Sequence, residues 1–199
     1  GSVVTLNTAS RIEARMNAQE RTVRLLEGEA FFEVAHDASR PFRVYAGDGV
    51  TVAVGTAFSV RLEKNAVEVV VSEGKVSYSR VADVAAPEPV AYIAAGETAV
   101  FSDNVVIEKV DEAAVERKLS WTEGRLVFAG DPLSSVVADI SRYTDIQFEF
   151  ATQDLADMRV GGVFVVGEVD DMLDALETNF ALRVQRVGDR LVRLTEQEQ

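Results

Sequence analysis

Between Gly28 and Val60 the chain uses one device three times. G-E-A-F-F-E-V (Gly28 to Val34), R-P-F-R-V (Arg40 to Val44) and G-T-A-F-S-V (Gly55 to Val60) each place apolar side chains at alternate positions beside a glycine or a proline. Period-two alternation wets one face of a segment and buries the other, which a strand satisfies and a helix does not. The pattern runs from Val3 to about Ile107, with Val23, Phe32, Val44, Phe58, Val60 and Val69 among its apolar positions. Turn signals divide it at Glu27-Gly28, Asp37 to Pro41, Ala46 to Gly49, Lys64-Asn65, Glu73-Gly74 and Ala95-Gly96. The turn glycines Gly28, Gly74 and Gly96 lie 46 and 22 residues apart. That spacing points to stacked strand layers, a jelly roll or a short solenoid.

The pattern then changes. Val81 to Pro89, with Pro87 and Pro89, reads as a surface loop. Asp111 to Leu119 reads as a short connecting helix, acidic at its first turn, basic at its last, with Val115 and Leu119 on one face. Beyond Trp121, strands and helices alternate with an internal repeat. Asp131-Pro132 suggests a helix cap followed by a first-turn proline. Val136, Val137 and Ile140 form an apolar stripe, and Ile146 to Phe150 a strand. Thirty-six residues on, Met172, Leu173 and Leu176 repeat the stripe, and Leu182 to Val184 the strand. The expected fold is therefore mainly β with α+β: an all-β domain over 1–110, a linker helix over 111–120, and a β-α-β-β-α-β-β module over 121–199.

The last hairpin permits a register argument. A two-residue loop at Gly188-Asp189 would put Leu182 and Val184 opposite the face of Val192 and Leu194. A three-residue loop, Gly188 to Arg190, puts all four on one face. A slip of one residue inverts every side chain, so burial selects the longer loop. Val187 and Leu191 then meet on the outer face. Gly161-Gly162 weakens burial in the segment Arg159 to Val166, as suits a strand at a sheet margin.

Composition excludes several functions. A net charge of −13 over 199 residues opposes phosphate backbones and anionic lipid. The chain has no cysteine, so disulfides, thiolate metal sites and a Cys nucleophile are ruled out. No stretch approaches the roughly 18 apolar residues that span a bilayer. His36 is the only histidine, nothing partners it by spacing, and it is expected to be a solvated turn residue. The acidic positions Asp170, Asp171, Asp154 and Asp157 read as helix-start and loop carboxylates, Arg40 as an ion-pair partner across its turn, and Trp121 as a packing residue. Ser134-Ser135 lacks a nucleophile elbow.

V-T-L-N (Val4 to Asn7), the three motifs of Gly28 to Val60, and W-x-x-G-x-L-x-F (Trp121 to Phe128) follow one another in an order that resembles FecR-type sigma-factor regulators over nearly the whole chain. The repeated last third is similar to the short N-terminal domain of secretins and TonB-dependent transporters. The resemblance implies the periplasmic part of an inner-membrane anti-sigma factor, with a membrane helix and a cytoplasmic sigma-binding segment outside these residues. It implies as partner the signalling domain of an outer-membrane TonB-dependent iron-siderophore transporter, and no cofactor. Docking is expected on the last domain, at Arg159, Val160 and Val163 of the edge strand or at the Val187/Leu191 patch.

Several proteins of that family cut themselves at the Gly-Thr of G-T-x-F-x-V, and the resemblance places that bond here at Gly55-Thr56. A threonine hydroxyl can attack the preceding carbonyl, and glycine before it lowers the steric barrier. Such cleavage is a single maturation event, so a turnover enzyme is not expected. The competing expectation is a glycan- or small-molecule-binding jelly roll, which would need Phe31, Phe32, Phe42 and Phe58 on an open concave face.

Overall fold

A computed structural model of the protein describes residues 1–83 and 89–197. The alternating segment forms β1 (Val3–Leu6), β2 (Arg11–Met16), β3 (Arg21–Glu33), β4 (Phe42–Ala46), β5 (Gly49–Ala53), β6 (Ala57–Glu63), β7 (Ala66–Glu73), β8 (Lys75–Arg80), β9 (Ala91–Ala94), β10 (Glu97–Phe101) and β11 (Val105–Lys109). They make one sheet in the order β11-β10-β7-β6-β3-β4-β5-β8-β9, with β1 and β2 also paired to β3. The sheet curls until Tyr78 of β8 stacks on Phe101 of β10, ring centroids 3.5 Å apart. The apolar alternation lines the inside: Phe32 lies between Phe42 and Phe58 at 5.8 and 5.2 Å, and all three are fully buried. Burial of that kind contributes about 1.5–3 kcal/mol for each large side chain.

The turn expected at Glu27-Gly28 is corrected, because the chain runs through it as the single strand β3. Residues 21–25 pair with β4 and residues 28–33 with β6, so Gly28, at φ +83°, bends one strand between two partners. A bulge opposite, between Arg11 and Ile12, accompanies the bend. The expected loops at 46–49, 64–65, 73–74 and 95–96 do separate strands. Of the loop expected at Val81 to Pro89, Val81–Asp83 form a 3₁₀ turn and residues 84–88 lie outside the described residues.

The chain divides into two compact units, Gly1–Thr122 and Glu123–Gln199. The segment expected as a linker, α1 (Glu112–Leu119), packs on the first unit. Asp111 caps it by accepting from the Ala114 amide at 2.7 Å, and Val115 and Leu119 bury against Val70 of β7.

The second unit contains β12 (Arg125–Pro132), α2 (Leu133–Ile140), β13 (Gln147–Phe150), α3 (Gln153–Asp157), β14 (Arg159–Val165), α4 (Val169–Phe180), β15 (Leu182–Arg186) and β16 (Leu191–Glu196). β12 and β14 pair antiparallel in a two-stranded sheet, and β13-β16-β15 form a three-stranded one. Both apolar stripes, Val136/Val137/Ile140 on α2 and Met172/Leu173/Leu176 on α4, lie in a single core with residues of both sheets. The cap expected at Asp131-Pro132 is corrected. Both residues are still paired in β12, the helix starts at Leu133, and the Asp131 carboxylate accepts from the Ala129 amide across a bulge.

The final hairpin takes the register that burial selects. Val184 faces Leu194, Leu182 faces Glu196, and the Val187 amide donates to the Leu191 carbonyl around a loop of Gly188 to Arg190. Leu182, Val192 and Leu194 are buried.

Candidate functional site

Two features of the fold place reactive or sticky groups. The first surrounds Gly55-Thr56, in the bend between β5 and β6. The strand that ends at Glu33 continues as an extended segment alongside this bend: the Val34 amide donates to the Thr56 carbonyl at 2.8 Å, and the Asp37 amide to the Val54 carbonyl at 2.9 Å. His36 therefore sits between two backbone bonds that bracket Gly55. Its side chain lies on the glycine. A Cβ at Gly55 would stand 2.7 Å from His36 Nδ1 and 3.0 Å from its Cβ. Glycine is required there by this approach, since its φ is not left-handed.

The segment bearing His36 is held from below by Arg21, which is 8% exposed. Its guanidinium donates to the carbonyls of Ala35 (2.7 Å), Asp37 (3.2 Å) and Arg40 (2.6 Å). Asp37 fixes the other side of the turn. The Ser39 hydroxyl donates to its carboxylate at 2.6 Å and Arg40 pairs with it at 2.9 Å, which together hold that carboxyl down at about 2. Arg40 is thus the turn ion pair the sequence suggests.

Thr56 is 6% exposed, and its Oγ1 is buried without a hydrogen-bond partner among the described residues. An unsatisfied buried hydroxyl costs about 1–3 kcal/mol. Behind it Gly74, at φ +78°, approaches so closely that a Cβ would lie 2.8 Å from Thr56 Cγ2. A bulge between Ala57 and Phe58 breaks the β6–β7 register beside the same residue. The bend opens on a surface depression lined by Glu33, His36, Gly55, Thr56 and Glu73, so water reaches it.

The second feature is the margin of the second unit. Among the described residues β14 pairs only with β12, which leaves its other edge open, and Val163 and Val165 are 58% and 56% exposed. Val127, opposite Val163, extends the same outer face. Arg159 is exposed, its guanidinium donating to the Gly130 carbonyl at 3.2 Å. The expectation for Val160 is corrected: strand alternation turns it inward, where it is fully buried in the core. Val187 is exposed and Leu191 half-buried at the tip of the β15–β16 hairpin. Of the expected docking residues, Arg159 and Val163 share β14, while Leu191 opens β16 of the other sheet and Val187 lies just beyond the end of β15.

The remaining candidates fall into structural roles. Asp170 pairs with Arg186, Asp157 accepts from Gln153 at 3.2 Å, and Asp154 and Asp171 lie in first turns of helices. Phe32, Phe42 and Phe58 are core, and Phe31 packs against Val70 and α1, so they line no open concave face. Among the described residues no cluster of three or more His or acidic side chains is placed to hold a metal ion, and no helix is long and apolar enough to cross a membrane. Sequence spacing did not expose the pairing of His36 with Gly55. They stand nineteen positions apart with the whole of β4 and β5 between them, and the β3–β6 pairing brings the two loops together.

Comparison with known proteins places both units. No curated protein matches the chain. Two crystal structures of a candidate anti-sigma factor from Parabacteroides distasonis, at 1.65 and 2.50 Å resolution, superpose with TM-scores of 0.76 and 0.75. Each is 24% identical and covers 98% of this chain, and 91% and 90% of its own length respectively. At that identity the likeness carries the fold. The FecR protein family model matches residues 1–77, and that of the FecR C-terminal region matches residues 125–192. With both of its parts matched in order, one on each unit, the chain belongs to the FecR family of anti-sigma-factor regulators.

Proposed function

We propose that this chain is the periplasmic, signal-receiving region of a regulator anchored in the inner membrane, and that it binds the small signalling domain of an outer-membrane TonB-dependent iron-siderophore transporter. The open edge of β14, with Val163 and Val165 exposed, carries the proposal. An unpaired strand offers a ladder of amides and carbonyls to another polypeptide, and side chains on alternate positions supply specificity. The partner's strand adds beside β14, and the regulator passes the occupied state to a cytoplasmic sigma factor through segments outside these residues. No cofactor takes part.

Replacing Val163 and Val165 together by Asp tests the edge, and Val187→Asp with Leu191→Asp tests the hairpin patch. Binding to the purified signalling domain, measured by calorimetry, is expected to weaken more than 10-fold in the first variant, about 1.4 kcal/mol or more. Unchanged affinity in a folded first variant removes β14; loss in the second alone moves docking to the hairpin.

A second activity is favoured by the unpartnered Thr56 hydroxyl. We infer that Gly55-Thr56 cleaves itself once. Thr56 Oγ attacks the Gly55 carbonyl, the C–N bond breaks, and an ester replaces the amide. Water then hydrolyses it, leaving the Gly55 carboxylate and a free Thr56 amine. The protein is otherwise a binding module without turnover.

A further inference from the structure

The geometry points to His36 as the proton carrier of self-cleavage at Gly55-Thr56, an inference that rests on that cleavage occurring. The N-to-O shift has a definite proton problem. Thr56 Oγ must lose a proton to attack, and the Thr56 nitrogen must gain one to leave. A group that accepts and then donates near neutral pH solves both, and imidazole is the side chain suited to it. His36 is the only imidazole in the chain, and its Nδ1 lies against Gly55, the acyl half of the bond.

The surroundings fix its backbone there. The Val34 and Asp37 amides bond the carbonyls on either side of Gly55, and Arg21 clamps the Ala35 and Asp37 carbonyls that flank His36. Thr56 Oγ1 makes no competing hydrogen bond. The step then balances. Neutral His36 takes the Oγ proton as the O–C bond forms, the imidazolium returns it to the Thr56 nitrogen as the C–N bond breaks, and water from the open depression completes the hydrolysis. Glu33 and Glu73 line the same depression and are the rival bases.

Mass spectrometry of the denatured chain during incubation tests this, because the two products stay paired through β3 and β6 in the folded protein. Wild type is expected to convert to fragments 1–55 and 56–199, and Thr56→Ala to stay intact. His36→Ala, at an exposed position and with an unchanged melting temperature, is expected to cleave about 100-fold more slowly or worse. Added imidazole is expected to recover part of that rate, and Glu33→Gln and Glu73→Gln to cleave as wild type does. His36→Ala cleaving at the wild-type rate would overturn the inference and leave self-cleavage standing. A slow His36→Ala that imidazole does not rescue, or a slow glutamine variant, would also overturn it. A wild-type chain that stays whole removes both.

Discussion

At Gly74 the backbone adopts φ +78° while its Cα faces Thr56, so one missing side chain serves two ends. Gly74→Ala would place a Cβ in a left-handed conformation, at about 1–2 kcal/mol, and would press it to 2.8 Å from Thr56 Cγ2. Urea unfolding is expected to register a loss of at least 1 kcal/mol by that estimate. Gly74 is legible in the sequence as a turn. Its second duty toward Thr56 is not, because a glycine signal reports backbone freedom and says nothing of what approaches the empty space. The same limit hid His36. A lone histidine in a polar turn has no spacing partner, and its neighbour Gly55 arrives from a different loop. Residue identity showed the G-T-A-F-S-V motif; the group beside it required the sheet.

Among elements, what the sequence disclosed depended on whether burial could choose. The β15–β16 hairpin has one register that buries Leu182, Val184, Val192 and Leu194 together, and the chain takes it. β3 has no such arbiter. Its apolar positions continue through Gly28 with only a bulge to change partners, so a turn signal stood where a bend occurs. The join of β8 to β10 was likewise unreadable, since Tyr78 and Phe101 meet only when the sheet curls. That contact has a pH signature. Burial, and next the Asp48 charge, push the Tyr78 phenol up to about 12 from its ordinary 10.0. The unfolded chain ionises near 10.0 while the folded one holds its proton, so rising pH favours unfolding. The contribution is whole below pH 10.0 and is lost as pH climbs from there to about 12. Melting temperatures measured across that window are expected to fall more steeply in wild type than in Tyr78→Phe.

For the molecule as a whole, the change from period two to helical spacing after Trp121 marks two cores that share no residue, one around Phe32 and Phe58, the other around Leu133 and Leu176. Charge is also unequal. Residues 123–199 hold seven arginines, no lysine and fifteen acids, so the unit with the open β14 edge is the more acidic for its length. A surface of that sign disfavours like-charged partners and favours basic ones. If reception is confined to this unit, damage to its core should leave the sheet around Gly55-Thr56 intact. Leu176 is fully buried, and Leu176→Ala is expected to cost about 2–5 kcal/mol through the cavity it leaves. Hydrogen exchange is expected to quicken in α2, α4, β15 and β16 while amides of β3, β6 and β7 keep their protection. Equal loss of protection in both sets would mean that the two cores unfold as one cooperative unit.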